Sequence, residues 1–192
     1  MRTNVVLIGF MGAGKTAVGK VLAKGLGKKF VELDSVIERK AGKSIPEIFQ
    51  QDGEVTFREL EIEVTKEVSR DKNLVIACGG GIVLNKINID RLKNEAIIVY
   101  LTASPRVLLR RISGSGEGRP LLNTSNRGGD EPRHYDLDAR SPLNRSIQEL
   151  LRVRKPFYDR AADIKISTSK LDINSVAEQI IVELKENESF NL

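Results

Sequence analysis

Asn4-Val5-Val6-Leu7-Ile8-Gly9-Phe10-Met11-Gly12-Ala13-Gly14-Lys15-Thr16 is the stretch on which the reading of this chain turns. Asn4–Ile8 is a strand-like run without polar alternation, the pattern of a strand covered on both faces. Gly9–Thr16 reads G-x-x-x-x-G-K-T, and a helical pattern over Thr16–Leu26 follows at once. Strand, glycine loop and helix in that order have a mechanism. Glycines let the backbone turn so that successive N–H groups point at phosphate oxygens, and the helix N-terminus adds partial positive charge. Gly12, Ala13, Gly14 and Ala17 are the candidate phosphate contacts beside Lys15 and Thr16. The Lys15 ammonium reaches the β- and γ-phosphates in such a loop, and the Thr16 hydroxyl is placed to ligate Mg²⁺. A fortuitous glycine-rich turn would not arrive with both flanks in place. The motif is a nucleotide phosphate site.

Outward from it, similar apolar runs recur at Leu74–Ala77, Ala96–Leu101 and Ile164–Ile166, with Phe30–Leu33 as a shorter fifth. Helical patterns lie between and after them: Glu54–Arg70, Pro105–Ile112, Leu143–Ala161 and Ser175–Glu186. The last carries Val176, Ile180, Ile181 and Leu184 as one apolar stripe. Strands alternating with helices predict an α/β domain with right-handed crossovers. A strand-like run that starts at Asn4 leaves no room for a targeting peptide. Ser113–Arg133 breaks the pattern, with Gly114, Gly116, Gly118, Gly128 and Gly129 and almost nothing apolar beyond Leu121 and Leu122. A loop of that length in a compact domain predicts a functional lid.

The chain's 192 residues are 40% hydrophobic and 30% charged, which excludes disorder and suits one domain with a sizeable core. The lone Cys78 excludes a disulfide framework and a cysteine-clustered metal site; beside the glycines it reads as small strand packing. No apolar run approaches the roughly 18–20 residues of a membrane span. A net charge of +5 and a pI near 9.3 admit either nucleic acid or a small anionic ligand. The distribution separates the two. Of the 12 basic residues between Leu101 and Arg160, 11 are Arg, whose planar fork suits phosphate and carboxylate. No groove-reading helix or aromatic-interleaved basic platform accompanies them.

A phosphate loop alone does not separate a small-molecule kinase from other NTPases, so the acceptor side must come from elsewhere. Glu32 and Asp34 straddle the end of the second strand, and ligands of open α/β sheets sit beyond the carboxyl ends of strands. Two carboxylates there could hold the water shell of Mg²⁺ and bind or deprotonate an acceptor hydroxyl. The plainer reading makes Asp34 the N-cap of a helix over Ser35–Lys40. Gly79-Gly80-Gly81 follows the strand Leu74–Cys78 and allows close backbone approach to a ligand. Arg58 and Glu61 stand i, i+3 on one helix, so Glu61 can fix the guanidinium from behind.

Taken in order, Gly9–Thr16, Phe30-x-Glu32-x-Asp34 with Ile37-Glu38, Ile48-Phe49, Phe57-Arg58-x-x-Glu61, Gly79–Gly81, Arg119-Pro120-Leu121-Leu122 and Arg154-x-Pro156-Phe157-Tyr158 resemble the shikimate kinases. The resemblance runs from Asn4 to about Ala162 and is looser beyond. It implies a three-layer nucleoside monophosphate kinase fold, with a five-stranded parallel sheet flanked by helices and a mobile lid. It also implies transfer of phosphate from ATP, with Mg²⁺, to the 3-hydroxyl of shikimate on the route to chorismate. One domain would span 1–192, with a substrate-binding region over 34–62 and an enlarged lid over 113–142. Asp34 would hold the ring hydroxyls and serve as base or orienter. Arg58 and Arg154 would grip the carboxylate, Gly80 and Gly81 would bond substrate through backbone, and Phe49 and Phe57 would wall the ring. Arg119 would close onto the transferring phosphate, and Arg111 would pack on adenine. Thr16 would meet the metal directly and Glu32 through water. A cytoplasmic monomer without nucleic-acid or membrane partner completes the expectation.

The chain departs from that pattern in two places. Glu32 stands where the family usually has Asp, and 34 residues separate Arg119 from Arg154, more than the usual lid. The extra stretch, about 124–141, holds Arg127, Arg133, Arg140 and the only histidine, His134, which reads as a surface residue. Two alternatives stay open: a kinase for another small hydroxy acid, and a nucleotide-binding regulatory protein without transfer activity.

Overall fold

Strands that are apolar on both faces need cover on both, and the helices between them supply it. A computed structural model describes residues 2–113 and 142–191. Its five strands are β1 (Asn4–Ile8), β2 (Lys29–Glu32), β3 (Leu74–Ala77), β4 (Ala96–Thr102) and β5 (Ile164–Ser167). All pair in parallel in the order β2-β3-β1-β4-β5, with Val5 facing Val75 on one side and Ile97 on the other. The expected parallel α/β sheet is therefore what the chain builds. β1, β3 and β4 are buried along their lengths, whereas edge strand β5 alternates buried and exposed residues and β2 is only partly covered.

Period-two geometry splits the core between the two faces. Val5, Leu7, Ile97 and Val99 point to one face and pack with Val18 and Leu22 of α1 (Lys15–Leu26) and Ile180 and Leu184 of α8 (Ile173–Lys185). Val6, Ile8, Ile76 and Ile98 point to the other. They meet Ile37 of α2 (Leu33–Ala41), Val64 of α4 (Gly53–Val68), Leu92 of α5 (Lys86–Glu95) and Tyr158 of α7 (Pro142–Ala161). The short α3 (Ile45–Glu47) opens on Ser44 and Glu47 in a reciprocal capping box, and a π-turn over Ile48–Asp52 leads into α4. A 3₁₀ turn (Ile82–Leu84) joins β3 to α5, and α6 (Pro105–Ser113) follows β4.

Two local readings change. α5 has no counterpart in the sequence patterns, because Ile87, Ile89 and Leu92 are diluted among Lys, Asn, Asp and Arg. Asn85 marks its start, accepting a hydrogen bond from the Ile87 amide at 2.9 Å. Helix α2 begins at Leu33, so its N-cap is Glu32 and Asp34 lies inside the first turn. The Asp34 N-cap reading is corrected accordingly, and the carboxylate is released for other work. The predicted lid, with Arg119, the 124–141 stretch, Arg127, Arg133, His134 and Arg140, lies outside the described residues except at its ends, Ser113 in α6 and Pro142 in α7.

Candidate active site

The carboxyl ends of β1, β2 and β3 open on one cleft of about 760 Å³, lined by Met11, Gly12, Gly14–Ala17, Glu32, Asp34, Glu38 and Cys78–Gly80 among others. The loop after β1 needs its glycines: Gly12 has φ 77° and Gly14, which caps α1, has φ 97°, both in the left-handed region. The Ala13 amide turns back to the Phe10 carbonyl at 3.1 Å. The Lys15 ammonium donates to the Gly9 and Phe10 carbonyls at 2.9 and 3.2 Å, which lays it along the loop. The Thr16 hydroxyl donates to Glu32 Oε1 at 2.5 Å. Glu32 thus meets the phosphate loop directly.

Asp34 sits deeper. Its Oδ1 is sealed from solvent and has no hydrogen-bond partner among the described residues. Burial pushes its pKa above the usual carboxylate range; Lys15 pulls it down, Glu32 and Glu38 push it up, and Arg58 pulls it down. The main chain crowds it as well. A Cβ on Gly79 would stand 2.7 Å from Asp34 Oδ1, so only glycine fits there without displacing the carboxylate.

Beside Asp34, α4 presents an arginine held on three sides. Arg58 pairs with Glu61 Oε2 and with Glu54 Oε1, each at 3.1 Å, and its guanidinium lies 5.1 Å from the centre of the Phe57 ring. Phe57 packs on Phe49 with ring centres 4.8 Å apart. Glu61 is only 1% exposed, and burial raises its pKa while Arg58 opposes that shift. A surface ion pair is therefore the wrong description. Gly81 is pressed against this arginine, since an added Cβ would lie 2.8 Å from Arg58 Nη1.

Helix α7 closes the same side. Arg154 is 5% exposed and reaches the Gly80 carbonyl at 3.5 Å; the Tyr158 hydroxyl donates to that carbonyl at 2.5 Å. Tyr158 in turn stacks on Tyr100 of β4, centres 4.9 Å apart. On the β4–β5 side, Arg111 donates from Nη1 to the Gly12 carbonyl at 3.2 Å and to Thr168 Oγ1 at 2.9 Å. From Nη2 it donates to the Thr168 carbonyl at 2.7 Å.

The structure thus gathers Gly12, Gly14, Lys15, Thr16, Ala17, Glu32, Asp34 and Gly80 at one cleft, whereas Ala13 is buried within the loop and does not line it. It places Phe49, Phe57, Arg58, Gly81 and Arg154 beside the cleft on the β2–β3 side, and Arg111 on the opposite side. Cys78 is buried with its thiol pKa raised by desolvation, which fits inert packing. Sequence reasoning missed two residues. Tyr158 carried a signal, standing one helical turn after Arg154 and so on the same face. Thr168, a threonine just past a short strand, carried none.

A lysine and a threonine at a phosphate loop, a sealed carboxylate beside them, and two arginines holding one wall can bind a phosphorylated nucleotide against a small anionic alcohol. The family profile "Shikimate kinase" matches residues 11–185. Shikimate kinase of Caldanaerobacter subterraneus subsp. tengcongensis is 44% identical over 93% of this chain and 94% of its own. That of Thermodesulfovibrio yellowstonii is 44% identical over 94% of each. Among solved structures, shikimate kinase from Acinetobacter baumannii in complex with shikimate superposes with a TM-score of 0.84 at 35% identity, covering 98% of this chain and 96% of that one. The enzyme from Aquifex aeolicus gives 0.76 at 33%, covering 96% and 97%. With the profile matched over residues 11–185 and relatives 44% identical over more than nine-tenths of its length, the chain belongs to the shikimate kinase family.

Proposed function

We propose that this protein transfers the γ-phosphoryl group of ATP to the 3-hydroxyl of shikimate, giving shikimate 3-phosphate and ADP on the route to chorismate and the aromatic amino acids. The observation that carries the reading is Asp34: a sealed, unpartnered carboxylate oxygen between the phosphate-loop Lys15 and the Arg58 clamp. The Acinetobacter enzyme's complex with shikimate supports the choice of acceptor.

In this reading Arg58, backed by Glu61, and Arg154, backed by Gly80 and Tyr158, receive the shikimate carboxylate. Phe49 and Phe57 wall the ring, and the amides of Gly80 and Gly81 orient its polar edge. Asp34 accepts the proton of the attacking hydroxyl, whose oxygen forms the new P–O bond as the β–γ bridging bond breaks and ADP leaves. Lys15 and the loop amides of Gly12 and Gly14 stabilise charge on the transferring group, the Ala13 amide being spent on the Phe10 carbonyl. Arg111 borders the nucleoside end, and Arg119, outside the described residues, is assigned to the transferring phosphate.

The site also fits Mg²⁺. The Thr16 hydroxyl spends its proton on Glu32, which leaves its oxygen lone pairs available as a hard donor, the type Mg²⁺ prefers. Thr16 would hold the ion directly and Glu32 through water; when bound, it neutralises β- and γ-phosphate charge. The chain is taken as one domain over 1–192, with acceptor contacts drawn from 34–62 and a lid over 113–142. It is further read as a cytoplasmic monomer without nucleic-acid or membrane partners. Among the described residues no helix is long and apolar enough to cross a membrane.

A coupled ADP-release assay over shikimate, quinate, gluconate and nucleoside monophosphates tests the proposal, with ADP formation expected for shikimate far above the rest. Turnover on another acceptor without stimulation by shikimate defeats it. ATP binding without turnover of any acceptor would favour the regulatory alternative.

A further inference from the structure

The turn between β5 and α8 holds one residue that touches the phosphate loop, the end of β4 and Arg111 together. Thr168 is 3% exposed. Its Oγ1 lies 3.1 Å from the Ala13 carbonyl and 3.2 Å from the Thr102 carbonyl, and receives the Arg111 Nη1 bond at 2.9 Å. Its amide is anchored on the Thr102 carbonyl at 2.8 Å, and its own carbonyl takes Arg111 Nη2 at 2.7 Å. Arg111 continues the chain to the Gly12 carbonyl.

We propose that Thr168 is a positioning residue for nucleotide binding, its hydroxyl setting the phosphate loop and Arg111 from behind. A trans peptide points its C=O and the following N–H in opposite directions. Fixing the Ala13 carbonyl on Thr168 therefore aims the Gly14 N–H the other way, at the N-terminus of α1 where phosphate oxygens are expected. The Gly12 carbonyl is fixed in the same manner through Arg111, while the amide across that peptide, that of Ala13, closes the turn onto Phe10. Both peptide planes are thus set before any ligand arrives. Such pre-organisation removes an ordering cost from binding. Thr102 at the end of β4 provides the fixed point, because its carbonyl is held within the sheet edge by the Thr168 amide. Serine preserves this geometry; valine, of the same shape, cannot donate or accept.

This inference rests on the nucleotide half of the proposed function and not on the identity of the acceptor. The test is calorimetric titration of the whole protein with ADP and, separately, with shikimate, together with thermal melts. Thr168→Val is expected to weaken ADP binding about tenfold, and Thr168→Ser to stay within about twofold of the parent. Shikimate affinity should hold in both. Thr168→Ala, which removes the hydroxyl without filling its place, should reproduce the valine result. Unchanged ADP affinity in the valine and alanine variants, an equal loss in serine, or a parallel loss of both ligands overturns the assignment. A wild-type protein that binds ADP but turns over no shikimate defeats the proposed acceptor and leaves the Thr168 comparison decisive on its own.

Discussion

Replacing Tyr158 by Phe deletes one oxygen and leaves a fully buried ring, still stacked on Tyr100 at 4.9 Å. What goes is the hydroxyl bond to the Gly80 carbonyl at 2.5 Å, together with the hydroxyl's bond to Arg154; among the described residues that carbonyl then keeps Arg154 Nη1 at 3.5 Å, the outer limit of a hydrogen bond. An average net hydrogen bond contributes about 1 kcal/mol and an orphaned buried acceptor costs about 1–3 kcal/mol, so with Arg154 partly compensating the loss is about 1–2 kcal/mol. In a domain of this size that lowers Tm by about 2–8 °C. The functional effect follows from how the compensation happens. Arg154 closes on Gly80 by moving from its present place, and the glycine turn loosens with it. We expect KM for shikimate to rise about 5–30-fold, the equivalent of the same 1–2 kcal/mol, with KM for ATP within about twofold. Coupled ADP release gives both constants, and a melt of the same sample gives Tm. Tyr100→Phe is the control, since it keeps the stack and touches neither Gly80 nor Arg154. A fall in Tm with an unchanged shikimate KM, or an equal rise in the control, refutes the reasoning and makes Tyr158 a core residue only.

Three further outcomes are expected. Gly79→Ala puts a Cβ 2.7 Å from Asp34 Oδ1 and should cut kcat about a hundredfold by misplacing the base, with ADP affinity preserved by calorimetry. Because burial raises the Asp34 pKa and the ionised form does the work, kcat/KM should climb with pH through a limb above the ordinary carboxylate range. The stability sign is the reverse: a folded pKa above the unfolded one favours folding at low pH, and that advantage is lost as pH rises through it. Asp34→Asn should therefore raise Tm at pH 8 while abolishing transfer, and a lowered Tm would contradict the sign. Arg154→Ala should raise the shikimate KM about tenfold to a hundredfold with nucleotide affinity intact, as expected for losing a charge-assisted bond to a carboxylate.

Strands were legible because their physics is local. Val5–Ile8 and Ile97–Leu101 must be covered on both faces, and no other arrangement of so many adjacent apolar residues is as simple. The phosphate loop was legible because a left-handed Gly14 before Lys15-Thr16 is a local requirement too. Helix α5 escaped because its identity rests on an Asn85 cap and on packing of Leu92 rather than on a dense stripe. The strand-end rule puts Asp34 toward the cleft that it lines, but its sealed oxygen lies against Gly79, which is 45 residues away in the chain and adjacent only in space. Thr168 shows the limit most plainly. Its importance lies in three carbonyls contributed by the phosphate loop, β4 and its own backbone, and no spacing along the chain announces them.

The central position of β1 has a consequence for how such an enzyme can change over evolutionary time. Residues assigned to the phosphate donor hang from β1 and its β4–β5 side, among them Lys15, Arg111 and Thr168. Most of those assigned to the alcohol hang from the β2–β3 side, among them Asp34, Phe57, Arg58 and Gly79. One ladder, β1 against β3, separates the two groups. Mutations that reshape the alcohol wall therefore leave the donor machinery in register, and a duplicated copy can drift toward a new acceptor without first losing its engine.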